Sequence, residues 1–154
     1  MKTITLGTHK DADALRKALK RQGYVIGPWA DDILGKPSFT VCPYEIEVDL
    51  VAASVAELGF GNGTSYKDIR ARALELELDL CPAEVGPQLR LQYNDQPLGD
   101  WLRIAMQPIA DSDGHLGIFA VGHDYVQPCL RGGDDGRPET FWSAGERFVF
   151  VRRK

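Results

Sequence analysis

Residues 81–93 read Cys-Pro-Ala-Glu-Val-Gly-Pro-Gln-Leu-Arg-Leu-Gln-Tyr, and the chain changes character across them. Before this segment apolar residues recur mainly at helical spacing, and after it they mainly alternate. Pro82 at a first helical position and Glu84 in the first turn suit a helix start, which Gly86-Pro87 would limit or kink. From Gln88 the period is two. Gln88, Arg90 and Gln92 alternate with Leu89, Leu91 and Tyr93, so an extended backbone puts three polar groups on one face. In that reading Glu84, Gln88, Arg90 and Gln92 line a polar cleft. Arg90 holds a carboxylate or phosphate there, and the amides fix its orientation. The plainer alternative packs Leu89 and Leu91 inward and leaves the polar residues solvated.

Upstream, residues 4–6 suit a short strand. A helix follows, capped by Thr8, with Asp11 and Asp13 early, Lys17, Lys20 and Arg21 late, and Gly23 as its stop. Gly27-Pro28 starts a helical turn over residues 29–34. Residues 44–60 begin with the strand alternation of Glu45, Glu47 and Asp49 and pass into a helical stripe of Leu50, Val51, Val55 and Leu58. A short strand running into a helix is the reading adopted. Thr64 then caps a helix reaching about Leu78.

Downstream, residues 101–109 read as a strand, Asp111-Ser112-Asp113-Gly114 as a turn, and residues 116–121 as the returning strand. Cys129-Leu130 suits a third strand, and residues 132–138 form a polar loop. Residues 147–152 make a last strand, apolar on both faces and therefore central. The expected architecture is α+β in one domain over residues 1–154. A helix-rich N-terminal half packs on a C-terminal antiparallel β-meander.

Composition bounds the function. The 154 residues are 44% hydrophobic and 26% charged, as in a folded globular chain rather than a disordered one. No apolar run approaches the ~20 residues of a membrane helix, and the first residues do not resemble a signal peptide, so a cytoplasmic protein without membrane contact is expected. Net charge is −4, with 22 acids against 18 bases shared evenly between the halves, which disfavours nucleic acid as a partner. Cys42, Cys81 and Cys129 have neither disulfide-scaffold nor zinc spacing and read as free thiols.

No complete catalytic or cofactor motif is present: no phosphate loop, nucleophile elbow, dinucleotide fingerprint or paired-histidine zinc pattern. No cofactor or metal is expected. Asp111-Ser112-Asp113-Gly114 resembles the start of a calcium loop. It lacks a further ligand before the glycine, and Gly122 stands where the closing glutamate belongs. Glu45, Glu47 and Asp49 could gather carboxylates on one strand face, as a magnesium site would want, but a solvated face, or one paired to the basic helix, is the commoner explanation. A helix–loop–helix over residues 49–78 resembles a winged helix, with Lys67, Arg70 and Arg72 toward DNA, but Glu75, Glu77 and Asp79 on the same helix oppose that reading.

The segment 81–97, together with residues 54–60, 101–109 and 147–151, resembles a family of small uncharacterised bacterial proteins. The similarity runs from about residue 45 onward. The resemblance implies no activity, and no functional residue is carried over from it. The expected function is a soluble module binding a small molecule or a protein, with Glu84, Gln88, Arg90, Gln92, Tyr93 and His123 as candidate ligand-binding residues. The enzymatic alternative is a hydrolase or transferase using Glu84 or His123 as base and Arg90 as anion holder.

Overall fold

Strands from both ends of the chain hydrogen-bond into one sheet in the computed structural model, which describes residues 1–154. In chain order the elements are β1 (Lys2–Leu6), α1 (Ala12–Arg21), β2 (Val25–Ile26), α2 (Pro28–Leu34), β3 (Ile46–Ser54), β4 (Thr64–Ser65), α3 (Tyr66–Glu75) and β5 (Leu78–Asp79). There follow α4 (Val85–Gln92), β6 (Trp101–Ile104), β7 (Ile109–Ala110), β8 (Leu116–His123), β9 (Pro128–Asp135), β10 (Phe141–Trp142) and β11 (Arg147–Arg152). The main sheet has nine strands, ordered β1-β3-β11-β6-β8-β9-β2, with β5 beside β11 and β7 beside β8. A separate two-stranded ribbon joins β4 to β10.

This arrangement overturns the expected helical half packed on an antiparallel meander. β1 and β3 come from the first half and lie beside β11, the last strand. The sheet is mixed, because β11 runs parallel to β6 and β2 parallel to β9. Residues 46–54 are strand throughout, since β3 is bonded to β1 on one side and β11 on the other. Beyond Leu50 its residues on both faces are half-buried, which blurs the alternation, so Leu50, Val51 and Val55 only mimic a helical stripe. Beyond it, Glu57 accepts from Ser54 N and donates its own N–H to Ser54 Oγ, closing a turn where the helix was expected. The helix–loop–helix of a winged helix is therefore absent.

The segment 88–93 is corrected in the opposite sense. It is helical up to Gln92, and Pro87 falls in the first turn of α4, where a backbone N–H has no intrahelical partner to lose. β9 runs on through Asp135, absorbing glycines expected in a loop. Residues 147–152 form β11 as expected, between β3 and β6.

α4 packs against β1 near one edge of the sheet and against β8 and β9 near the other, so the sheet curls around it. Residues 85–91 of α4 are all buried. Gly86 permits this approach: a Cβ there would lie 2.6 Å from Phe119 Cδ2. One apolar cluster of 32 residues fills the interior, with Phe148, Val149 and Phe150 of β11 at its heart. Tyr66 stacks on Phe148 with centroids 5.8 Å apart. Its hydroxyl donates to Met106 O at 2.7 Å and accepts from Met106 N at 2.9 Å. Burial pushes this phenol up to about 12. No helix is long and apolar enough to cross a membrane.

Gly86→Ala should cost about 1–3 kcal/mol, because the new methyl meets the Phe119 ring, and chemical denaturation reads the loss directly. Tyr66 binds its proton more tightly folded than unfolded. Its stabilising contribution is therefore complete below pH 10 and is lost as pH rises toward about 12. Tyr66→Phe, which strands both polar groups of Met106, should lower stability by about 2 kcal/mol at neutral pH and flatten that alkaline decline.

Candidate functional site

Glu84, Gln88 and Gln92 recur every fourth residue and so share one side of the α4 axis. That side faces β1 and the chain leaving it. Glu84 accepts from Gly7 N and Cys42 N, each at 2.7 Å, and from Gln88 Nε2 at 3.0 Å. Gln88 Nε2 also donates to Thr8 Oγ1 at 2.8 Å, and Gln88 Oε1 accepts from Gln92 Nε2 at 2.9 Å. The Gln92 amide then closes on a single residue of β1: Thr5 N donates to Gln92 Oε1 at 3.0 Å, and Gln92 Nε2 donates to Thr5 O at 2.8 Å. A primary amide here does what the peptide group of a neighbouring strand would do, and covers part of an open sheet edge.

Arg90 lies about 9 Å along the axis from Glu84 and on another side of it, six residues being one and two-thirds turns. Its guanidinium is fully buried yet meets no carboxylate. Nη1 donates to Gln96 Oε1 and Gly122 O, Nη2 donates to Tyr93 O, and the group lies 5.1 Å from the centre of the Tyr24 ring. Nε has no partner. Burial pulls the Arg90 pKa below its ordinary value. The nearest acid is reached through Gln96, whose Nε2 donates to Asp100 Oδ2; Asp100 in turn accepts from Arg147. Tyr93 is half-buried, with its phenol raised chiefly by burial and Lys2 Nζ 5.6 Å above its ring. His123 Nδ1 sits 2.7 Å from Asp124 O, its neighbour's carbonyl.

Glu84 and Arg90 therefore do not converge on one point; Glu84 is saturated by protein groups, and Arg90 is engaged through both terminal nitrogens while its buried Nε has no partner. His123 lines none of the three principal clefts. Of the basic residues expected to face DNA, Lys67, Arg70 and Arg72, the two arginines are engaged within the protein: Arg70 donates to Gln107, and Arg72 donates to Leu58 O and Glu75.

Two of the six candidates do line a cleft. Gln88 and Gln92 form part of the floor of a hollow of about 320 Å³ between α1 and α4, whose rim carries Thr8, His9, Arg21 and Gln22. The only charged or titratable groups there are His9 and Arg21, and neither has a carboxylate within salt-bridge distance. All amide hydrogens of Gln88 and Gln92 are committed to the protein, so the free donors belong to Arg21, Gln22 and His9. His9 Nδ1 lies 2.9 Å from the Thr8 hydroxyl, which itself accepts from Gln88. The sequence reading took Arg21 only as a cation suited to the end of α1. Its signal was the surplus of Lys17, Lys20 and Arg21 there, unmatched by acids on that turn.

A larger groove of about 750 Å³ lies between Trp29 of α2, the turn at Asp111–His115, and the far end of β9. Asp111, Asp113 and His115 bring ligand atoms within 4.8 Å of one another at that turn. Asp111 Oδ1 is already occupied by the amides of Asp113 and His115, which is how an aspartate closes its own turn.

Glu84→Ala should cost about 3 kcal/mol or more, because the buried N–H groups of Gly7 and Cys42 lose their acceptor; thermal or denaturant unfolding measures it. Compared with protein-family models, curated proteins and solved structures, the chain matches none of them.

Proposed function

We propose that this protein is a cytoplasmic binding module for a small anion, a carboxylate or phosphate group, held between α1 and α4 without chemical conversion. The observation that carries this reading is Arg21: an unpaired guanidinium on a cleft whose only other ionisable group is His9. An anion entering there displaces no internal partner, whereas at Arg90 it would have to displace three hydrogen bonds. The surroundings favour it electrostatically. Lys10 just before α1, and Lys17, Lys20 and Arg21 on it, have no ion-pair partners, and Arg16 alone on α1 is neutralised, by Asp13 and Asp31. The negative end of the α1 dipole is muted, because carbonyls of Ala18, Leu19 and Lys20 accept from residues 22–24.

The floor supplies rigidity. Gln88 and Gln92 are held at both ends of their amides, so their contribution is shape, while Arg21 gives charge and a two-pronged donor. A reducing cytoplasm suits the three thiols, none of them in a disulfide and two buried.

Inorganic phosphate and succinate serve as probes. Nuclear magnetic resonance titration should shift backbone signals of residues 8–9, 21–22 and 88–92, and higher salt should weaken the binding. Arg21→Ala should reduce affinity at least tenfold while stability stays within about 0.5 kcal/mol, as for an ordinary surface substitution. Unmoved signals at those residues, or undiminished binding by the variant, would overturn the reading.

A further inference from the structure

The groove beside Trp29 differs in chemistry from the α1–α4 cleft. Its floor is a β-bulge: between the pairs Ile118↔Asp134 and Ala120↔Arg131, one residue of β8 faces two of β9, Gly132 and Gly133. These glycines are needed for packing. A Cβ on Gly132 would lie 2.7 Å from Ala30 Cα, and one on Gly133 would lie 2.9 Å from Trp29 Cδ1. The indole leans on the bare backbone of Gly133 and is still 45% exposed, standing as an apolar wall. His115 meets it edge-on at 6.4 Å.

The opposite wall is ionic but already neutralised. Arg137 donates to both carboxylate oxygens of Asp135 through Nε and Nη2. That pairing holds the Asp135 carboxyl down at about 2. Asp111 is bound by two backbone amides and lies 3.7 Å from His115. An anion would have to break the Asp135–Arg137 pair to reach the guanidinium, and an uncharged ligand would not. A flat heterocycle would want an apolar surface on both faces, yet Trp29 and Leu116 are the only large apolar side chains lining the groove. One apolar ring facing carboxylates and a guanidinium suits a ligand with one C–H face and a rim of hydroxyls.

We propose that this groove is a second binding site, for an uncharged sugar ring stacked on Trp29 with its hydroxyls toward Asp135, Arg137 and His115. The volume of about 750 Å³ accommodates one or two such rings. The site is independent of the anion reading.

Titration of the whole chain with methyl β-glucoside, methyl β-galactoside, methyl α-mannoside and N-acetylglucosamine tests it, with adenosine as the flat control. The indole N–H signal of Trp29, identified by its loss in Trp29→Ala, is the readout. At least one sugar should shift that signal and those of Gly132 and Gly133. Trp29→Ala should weaken binding at least tenfold, His115→Ala (an exposed position) at least threefold, and Arg21→Ala not at all. Silence of the Trp29 signal with every sugar, a response to adenosine alone, or sugar binding that survives both Trp29→Ala and His115→Ala would overturn the proposal.

Discussion

The structure hangs on a carboxylate with no cation. Glu84 is buried at the start of α4 and balanced only by N–H donors, from Gly7, Cys42 and Gln88. Those donors belong to three segments far apart in sequence: the end of β1, the loop before β3, and α4 itself. A buried charge is tolerated when several dipoles point at it, and its removal leaves those dipoles unsatisfied. Glu84 thus ties the helix to the sheet edge it closes. Gln88 and Gln92 extend the tie along two helical turns, ending in the two-way clasp of Gln92 on Thr5. An edge strand left open would offer itself to another chain, and here a helix side chain occupies part of that edge.

Arg90 completes the other side of the same helix by the inverse means. Its cation is surrounded by carbonyl oxygens and an aromatic ring rather than by an acid. Guanidinium tolerates this better than ammonium because its charge is spread over a plane that can stack and donate in several directions. Gln96 carries the electrostatic link onward to Asp100 and so to Arg147 on β11. One helix is therefore fixed along one side to β1 and on another to the β6–β8 and β11 region. That is why the sheet curls round it.

Much of the local structure was legible. The strand at 147–152 showed itself by apolar residues on both faces, α2 by its Gly27-Pro28 start, and α1 by its stop at Gly23, although its N-cap is Asp11 rather than the expected Thr8. What failed was the choice between periods where burial is total. In α4, Leu89 and Leu91 alternate with Gln88, Arg90 and Gln92, yet every one of these residues but Gln92 is buried, so polarity carries no information about which side faces water. The four-residue spacing of Glu84, Gln88 and Gln92 was the better signal. β3 misled for a related reason, since residues 51–54 are half-buried on both faces and neither face sets a period. The unusual polar residues at 84–92 form an internal structural network. The open charges lie on α1, where the sequence looked ordinary.

This division has a physical logic. A side chain that must hold a sheet edge has its donors and acceptors spent, and the more completely they are spent the less a ligand can ask of them. Gln88 and Gln92 can bound a cleft but cannot recognise what enters it. Recognition falls to groups the fold does not need: Arg21, Gln22 and His9 above that floor, and Trp29 above the glycine bulge. Both sets sit on or beside helices docked outside the α4–sheet frame, so they can change without disturbing Glu84 or Arg90. A frame whose polar groups are largely satisfied internally leaves selectivity to the elements laid over it, and α1 and α2 carry the unspent charge of Arg21 and the half-uncovered indole of Trp29.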